Sequence, residues 1–163
     1  GHHITIQFPD SEMSGHMSVF PKGTYKKGHR HGPGVGIVIP AGEGYSIMWQ
    51  EGQEKVIVPW HEGSMFVPPN RWFHQHFGVS KDPLRLTAWF GPHNPGREPG
   101  PPGEKHIDYT GMDIPEGGSA IPYWMEDPFI AQEYNATLEK NGAVNRMDPQ
   151  FYDKNYKGEL PKE

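Results

Sequence analysis

Cysteine is absent from this chain of 163 residues. The chain therefore forms no disulfide and offers no thiolate to a metal ion, and its redox compartment stays undecided. It also lacks any apolar run long enough to span a bilayer. The formal net charge is −5, with both signs interspersed, so no basic stripe is present for a nucleic acid. We expect neither a membrane nor a nucleic acid among its partners.

Turn-forming residues are abundant instead, with 21 glycines and 18 prolines. Such a composition favours short strands joined by turns over long helices. Apolar or alternating segments at short, even spacing predict eight or nine strands, which we place at 4–8, 16–20, 35–39, 45–49, 55–58, 64–67, 72–77 and 84–90. Such a series is typical of an all-β, closed or nearly closed antiparallel barrel, wide enough to hold one small ligand.

A helical extension is predicted after this barrel. Residues 91–103 are rich in Gly and Pro and indicate a linker or an extended arm. One helix is expected at about 127–141, because Asp127 is a good N-cap, Pro128 suits the first helical position and Gly142 suits a stop. An apolar stripe, which would pack on the barrel or on another subunit, is formed by Ile130, Tyr134 and Leu138.

The length is that of one domain. We divide it into a barrel at 1–90 and an extension at 91–163 comprising the arm, the helix and a C-terminal tail. The tail carries Phe151, Tyr152 and Tyr156 among polar residues. Because such a tail needs a surface to lie on, we predict a homodimer. We expect a cytoplasmic location, with a removed N-terminal signal peptide as the open alternative.

Two histidine pairs stand about forty residues apart, at His29/His31 and His74/His76. Residues separated by one position in an extended segment point to the same side. Each pair can therefore aim two imidazoles at a common point. Imidazole is a good ligand for zinc, copper, iron and nickel, so three or four converging histidines indicate a metal site. The alternative is four surface histidines, which the flanking apolar residues at 65–67 and 72–73 disfavour.

The spacing around these pairs resembles the cupin superfamily, particularly its small bacterial members. The first cupin motif is matched by Gly23, His29, His31 and Gly42. The second motif is matched by Gly63, Pro69 and His74. The resemblance covers roughly residues 16–90 and implies the double-stranded β-helix, or jelly roll, of that superfamily.

Three departures from the cupin pattern concern the site. The glutamate of the first motif would fall at Val35 or Gly36, and neither residue binds metal. Arg71 replaces a glycine of the second motif, and Gly78 replaces its asparagine. The resemblance therefore implies a three-histidine metal site.

By this resemblance the metal ligands are His29, His31 and His74. His76 is then a fourth ligand, an acid–base group beside the ligands or a histidine lining the barrel, and we favour a catalytic role over ligation. Arg71, with Arg85 as a further candidate, would hold a substrate carboxylate, unless both are ordinary surface charges.

The resemblance further implies a function. Three neutral histidines leave the charge of a divalent metal uncompensated, which suits an anionic, chelating substrate. We predict a dioxygenase with one transition metal per chain, Fe(II) being favoured over Zn, Ni, Mn or Cu, acting on a small aromatic or diketone-like substrate. The alternatives are a non-oxidative isomerase, lyase or decarboxylase, a small-molecule-binding barrel, and a degenerate cupin without metal.

Overall fold

The structure, a computed structural model, describes residues 2–32, 35–91 and 110–156. Its eight strands correspond to the eight predicted segments. They are β1 (His2–Gln7), β2 (Ser14–Phe20), β3 (Val35–Ala41), β4 (Gly44–Trp49), β5 (Val56–Trp60), β6 (Met65–Phe66), β7 (Phe73–Gly78) and β8 (Leu84–Phe90). The predicted all-β class is therefore confirmed.

The strands form two antiparallel sheets. The larger sheet has the order β1-β2-β8-β3-β6, and the smaller has the order β5-β4-β7. Within the described ranges the ladders do not close into one cylinder, so of the closed or nearly closed barrel that we expected, the structure shows a form whose two sheets are not closed. Strand β6 has only two residues, and Pro68 and Pro69 after it carry no N–H with which to extend its ladder.

The interior between the sheets is filled by alternate residues of the strands. In β3 the buried positions are Val35, Ile37 and Ile39, as the period of two requires when one face is covered. Trp60 of the smaller sheet packs in the same cluster, which also contains Phe20, Leu84, Leu86 and Ala88. This apolar cluster joins the two sheets around one interior.

The predicted helix is present as α1 (Pro128–Lys140). The Asp127 side chain caps it by accepting a hydrogen bond from the Phe129 N–H at 3.0 Å. After the helix, Gly142 adopts a φ of +64°, the left-handed conformation that ends helices and that glycine tolerates best. The predicted stripe of Ile130, Tyr134 and Leu138 is buried.

Helix α1 packs on the face of the smaller sheet that points away from the interior. Its stripe joins a second apolar cluster with Tyr45, Ile47, Trp49, Phe73 and Phe77 of β4 and β7. Strand β7 is consequently covered on both faces, and all six of its residues are buried. The helix was expected to pack on the barrel or on another subunit, and in the structure it packs on the barrel of its own chain.

The tail after α1 also lies on its own chain. The Phe151 ring stacks on Tyr123 with 5.6 Å between centroids. The Tyr152 hydroxyl lies 2.6 Å from that of Tyr25. These aromatics need no partner subunit to cover them, so the homodimer stays a prediction without support from the tail.

The described residues do not test the predicted arm or the division of the chain at residue 90. The predicted arm at 91–103 lies outside them except for Gly91, and the division at residue 90 stays a prediction. Among the described helices, none has the length and apolar character needed to cross a bilayer.

The packing of α1 predicts a specific loss of stability. Leu138 is 1% exposed within the helix-side cluster. We expect Leu138→Ala to lower the free energy of unfolding by about 2–5 kcal/mol, because it leaves a cavity against β4 and β7. Glu139→Ala, at an exposed position of the same helix, is the matched control. Urea denaturation of both variants is the measurement, and equal midpoints would contradict this packing.

Candidate metal centre

The two predicted histidine clusters meet through backbone pairing. The His29 N–H donates to the His74 carbonyl at 3.2 Å, and the His74 N–H donates to the His29 carbonyl at 2.9 Å. Such a hydrogen-bonded antiparallel pair places both side chains next to each other on one face. The pairing thus brings one imidazole from each cluster together, with 4.6 Å between the ring centroids.

A one-residue change of register decides which face His29 occupies. Tyr25 bridges Phe77, and His29 bridges His74, so the three residues between the bridges on one segment (26–28) oppose two on the other (75–76). The extra residue has the effect of a β-bulge, which reverses the alternation of side chains. Tyr25 therefore packs with the helix-side cluster while His29 points into the interior.

The loop carrying His31 is held by the segment before β7. The Arg71 backbone N–H donates to the His31 carbonyl at 3.0 Å, and Arg71 has a φ of +60°. This left-handed conformation explains why a glycine would suit that position, as in the motif that the sequence resembles. The contact fixes the loop with backbone atoms alone.

His29, His31 and His74 together form a possible metal site. One ring nitrogen from each lies within 4.8 Å of the other two. Nitrogens that share an ion with bonds of about 2.1 Å lie at most about 4.2 Å apart, so the rings need only small movements to bind. The three side chains therefore fit a metal ion in number, type and position.

Backbone carbonyls fix the tautomer of all three rings. The Nδ1 atoms of His29, His31 and His74 lie 3.3, 3.1 and 3.1 Å from the carbonyl oxygens of Lys27, Gly32 and Trp72, respectively. A carbonyl only accepts, so each Nδ1 carries the proton, and Nε2 is the nitrogen whose lone pair could bind a metal. This pattern of a hydrogen bond behind each ligand is typical of metal-binding histidines.

Burial favours the neutral imidazole of His31 and of His74, which is the form that binds metal. Burial lowers the pKa of His31, and it lowers the pKa of His74 well below the usual range, with smaller contributions from the neighbouring histidines. His74 is 2% exposed, whereas His31 and His29 are partly exposed. Two nitrogen ligands thus lie toward the opening and one lies at depth.

His76 lies in the same cavity but has a different hydrogen-bond partner. Its Nδ1 is 2.8 Å from Ser46 Oγ, which also accepts a hydrogen bond from Trp60 Nε1 at 2.9 Å. The Ser46 hydroxyl can donate to Nδ1, and the proton of His76 then resides on Nε2. Burial lowers the pKa of His76 to about 3, and the ring is neutral. In this arrangement His76 offers an N–H donor to the cavity.

The cavity that contains these rings measures about 70 Å³. It is lined by the four histidines with His16, Ser18, Phe20, Lys26, Lys27, Val35, Ile37, Gln75, Leu86, Ala88 and Phe90. No described lining residue is Asp or Glu. Val35, where the resemblance places the missing glutamate, contributes an apolar wall. The described lining thus combines histidines, two lysines and apolar surface, and contains no acidic side chain.

The predicted arginines are not brought into this cavity. The Arg71 side chain is exposed, and only its backbone contacts the histidine loop. Arg85 is also exposed and lines a separate surface groove with Glu43 and Glu62. The role of Arg71 and of Arg85 in binding a substrate stays a prediction.

The cations that do line the cavity are Lys26 and Lys27, which the sequence did not single out. Lys27 is paired with Asp113 at 2.8 Å. The Lys26 ammonium lies 3.3 Å from Ser18 Oγ. Their proximity to His29 in sequence was the only available signal, and it does not reveal which side chain points inward.

The opposite face of β7 carries a buried polar network. Gln75 Nε2 donates to Glu126 at 2.9 Å, and the Tyr25 hydroxyl donates to the same carboxylate at 2.6 Å. Tyr152 in turn donates to Tyr25 at 2.6 Å. This network connects the tail to the residue between His74 and His76.

Comparison with solved structures identifies similar folds. The chain is similar to peruvianin-I, a cysteine peptidase from Thevetia peruviana latex, with 15% identity over 58% of this chain and 63% of that one, and a TM-score of 0.51. It is also similar to oxalate decarboxylase from Lactobacillus farciminis in a formate complex, with 16% identity over 56% of this chain and 29% of that one, and a TM-score of 0.50.

A third similar structure is a cupin 2 conserved barrel domain protein from Rhodopseudomonas palustris, with 16% identity over 56% of this chain and 60% of that one, and a TM-score of 0.48. In each case the match spans less than two thirds of the other chain. No protein-family model and no curated protein matches the sequence. Because a peptidase named for cysteine shares the fold with a chain that has none, the likeness is one of fold and not of activity.

The hydrogen bonds predict different tautomers within the site. In metal-free protein at neutral pH, we expect Nδ1–H for His29, His31 and His74, because each Nδ1 faces a carbonyl, and Nε2–H for His76. Two-dimensional ¹⁵N–¹H correlation spectra of histidine-labelled protein distinguish the two forms. The signal of His76 is identified as the one that is missing from the spectrum of His76→Gln. An Nδ1–H form for His76 would contradict its assignment as a donor to the cavity.

Proposed function

Since this chain has the cupin β-barrel fold and gathers three histidines inside it, we propose that it is a mononuclear metal-dependent enzyme. The observation that carries the proposal is the set of three Nε2 atoms aimed at one cavity with their tautomers fixed from behind. A hydrogen bond to a carbonyl behind each ring is the pattern typical of metal-binding histidines. In this arrangement the Nε2 side of each ring is the side that could bind an ion.

The residues divide into ligands and a proton donor. His29, His31 and His74 would hold one divalent transition metal per chain. His76 would donate its Nε2–H to an oxygen atom of the substrate, with its ring orientation fixed by Ser46. Apolar lining residues such as Phe20 and Phe90 would exclude bulk water, which strengthens every polar contact inside.

We propose a dioxygenase as the reaction class, acting on a small substrate that chelates the metal. Fe(II) held by three neutral histidines would supply open coordination positions and the electrons needed to activate dioxygen. None of the described lining residues is acidic, so an anionic substrate must provide the negative charge that balances the metal ion. This supports a reaction class whose substrate chelates the metal. Zn, Ni or Mn in the same site would support isomerase, lyase or decarboxylase chemistry instead.

The cavity bears on the size of the substrate. Its volume of about 70 Å³ is far below the 300–1,000 Å³ typical of pockets for drug-sized ligands. Trp49 and Phe73, two aromatic residues near the histidine pairs, pack in the helix-side cluster and do not line the cavity. These features favour a compact diketone-like or acidic substrate over a large aromatic one.

Metal content tests the proposal directly. We expect about one divalent transition metal per purified chain by elemental analysis, and less than about a tenth of that in His74→Ala, because the deepest ligand is lost. His61→Ala is the matched control, since His61 is exposed and lies outside the cavity. A wild-type protein that takes up no added Fe, Zn, Ni or Mn would overturn the proposal.

Oxygen consumption tests the reaction class. We expect Fe(II)-loaded protein to consume dioxygen with a small diketone, a 2-oxo acid or a catechol, and His76→Gln to lower kcat about 10²-fold or more with iron content unchanged. An oxygen electrode gives the rate. Turnover with zinc and without dioxygen would shift the reaction to the non-oxidative class.

A further inference from the structure

Lys26 brings a positive charge to the opening of the metal cavity. Its ammonium lies 3.3 Å from Ser18 Oγ and 4.7 Å from the centroid of the Phe20 ring. Both of those residues are buried, at 1% and 4% exposed. Lys26 is exposed as a whole residue, but its ammonium lies against these two buried side chains at the wall of the cavity.

This ammonium has no acidic partner among the residues that the structure describes. The ion pairs there are formed by Lys27, Arg30 and Lys55. The comparison with Lys27 is direct, because it lines the same cavity and contacts both carboxylate oxygens of Asp113 at 2.8 Å. The charge of Lys27 is thus neutralised by Asp113, whereas that of Lys26 is not neutralised by any described residue.

The charge balance of the cavity follows from these contacts. Burial favours the neutral form of His31 and His74, and no described lining residue is acidic. Burial lowers the pKa of Lys26, an effect that a bound anion beside the ammonium would reverse. With a divalent ion on the histidines, the cavity would contain two separate cationic groups and no anionic side chain among its described lining residues. A ligand with one negative group would satisfy only one of them.

We propose that the site takes a compact dianion, a dicarboxylate or the enolate of an oxo acid, with one anionic group on the metal and the other on the Lys26 ammonium. This inference rests on the proposed metal site and names the substrate class for it. The Ser18 hydroxyl, beside the ammonium, would add a hydrogen bond to the same group. The small cavity requires a short skeleton between the two anionic groups.

The test uses malonate as a dianionic probe and acetate as its monoanionic counterpart, by calorimetric titration of zinc-loaded full-length protein. We expect malonate to bind at least about tenfold more tightly than acetate, because a charge-assisted hydrogen bond is added. Lys26→Met should weaken malonate binding by about tenfold or more and change acetate binding less than twofold. Lys26→Arg, which keeps the charge, should retain most of the malonate affinity.

Lys22→Met is the matched control, an exposed lysine of the same loop outside this cavity. Zinc stoichiometry and circular dichroism are measured for each variant. One zinc per chain with unchanged malonate binding in Lys26→Met would overturn this inference alone. The same holds if Arg71→Met loses malonate binding and Lys26→Met does not. A wild-type chain that binds no metal would overturn the proposed function and this inference with it.

Discussion

The pair of backbone hydrogen bonds between His29 and His74 is the contact on which the site depends. It brings the two histidine clusters, far apart in sequence, onto one ladder. Strand β7 can support this pairing because it is buried on both faces, with the interior on one side and helix α1 on the other. The helix therefore does more than cover apolar surface. It holds in place the strand that presents His74 and His76.

Periodicity predicted most of the fold, because the fold is encoded locally. The eight strands and the helix follow from alternation, turn residues and an Asp-Pro start, each read within about ten residues of sequence. The separation into two sheets could not be predicted in this way, since closure depends on how β6 ends at Pro68 and on which distant strands pair. The helix stripe was predictable as apolar, although its packing surface was not.

The three candidate ligand histidines could also be predicted from local sequence, whereas the two lysines that line the cavity could not. A His-x-His spacing carries its own geometry, so His29, His31 and His74 could be named from the sequence. Lys26 could not, because its direction depends on the extra residue opposite β7, for which the sequence carries no recognisable signal. Arg71 and Arg85 were chosen for their charge and their position in the sequence, and their side chains are exposed and do not line the cavity. Charge and proximity in sequence do not determine which side of a strand or loop a side chain occupies.

The network from Gln75 through Glu126 and Tyr25 to Tyr152 has a thermodynamic consequence for the C-terminal tail. Gln75 lies between two histidines of the site, so an ion that restrains this strand also restrains the acceptor and donor groups on its other face. With an ion bound at the proposed site, binding that favours the ordered strand would also favour the docked tail, and by reciprocity a docked tail would raise the affinity for the ion. Trimming or modifying the tail would then change metal retention without touching any of the proposed ligands. In that case the tail would regulate metal affinity from a distance.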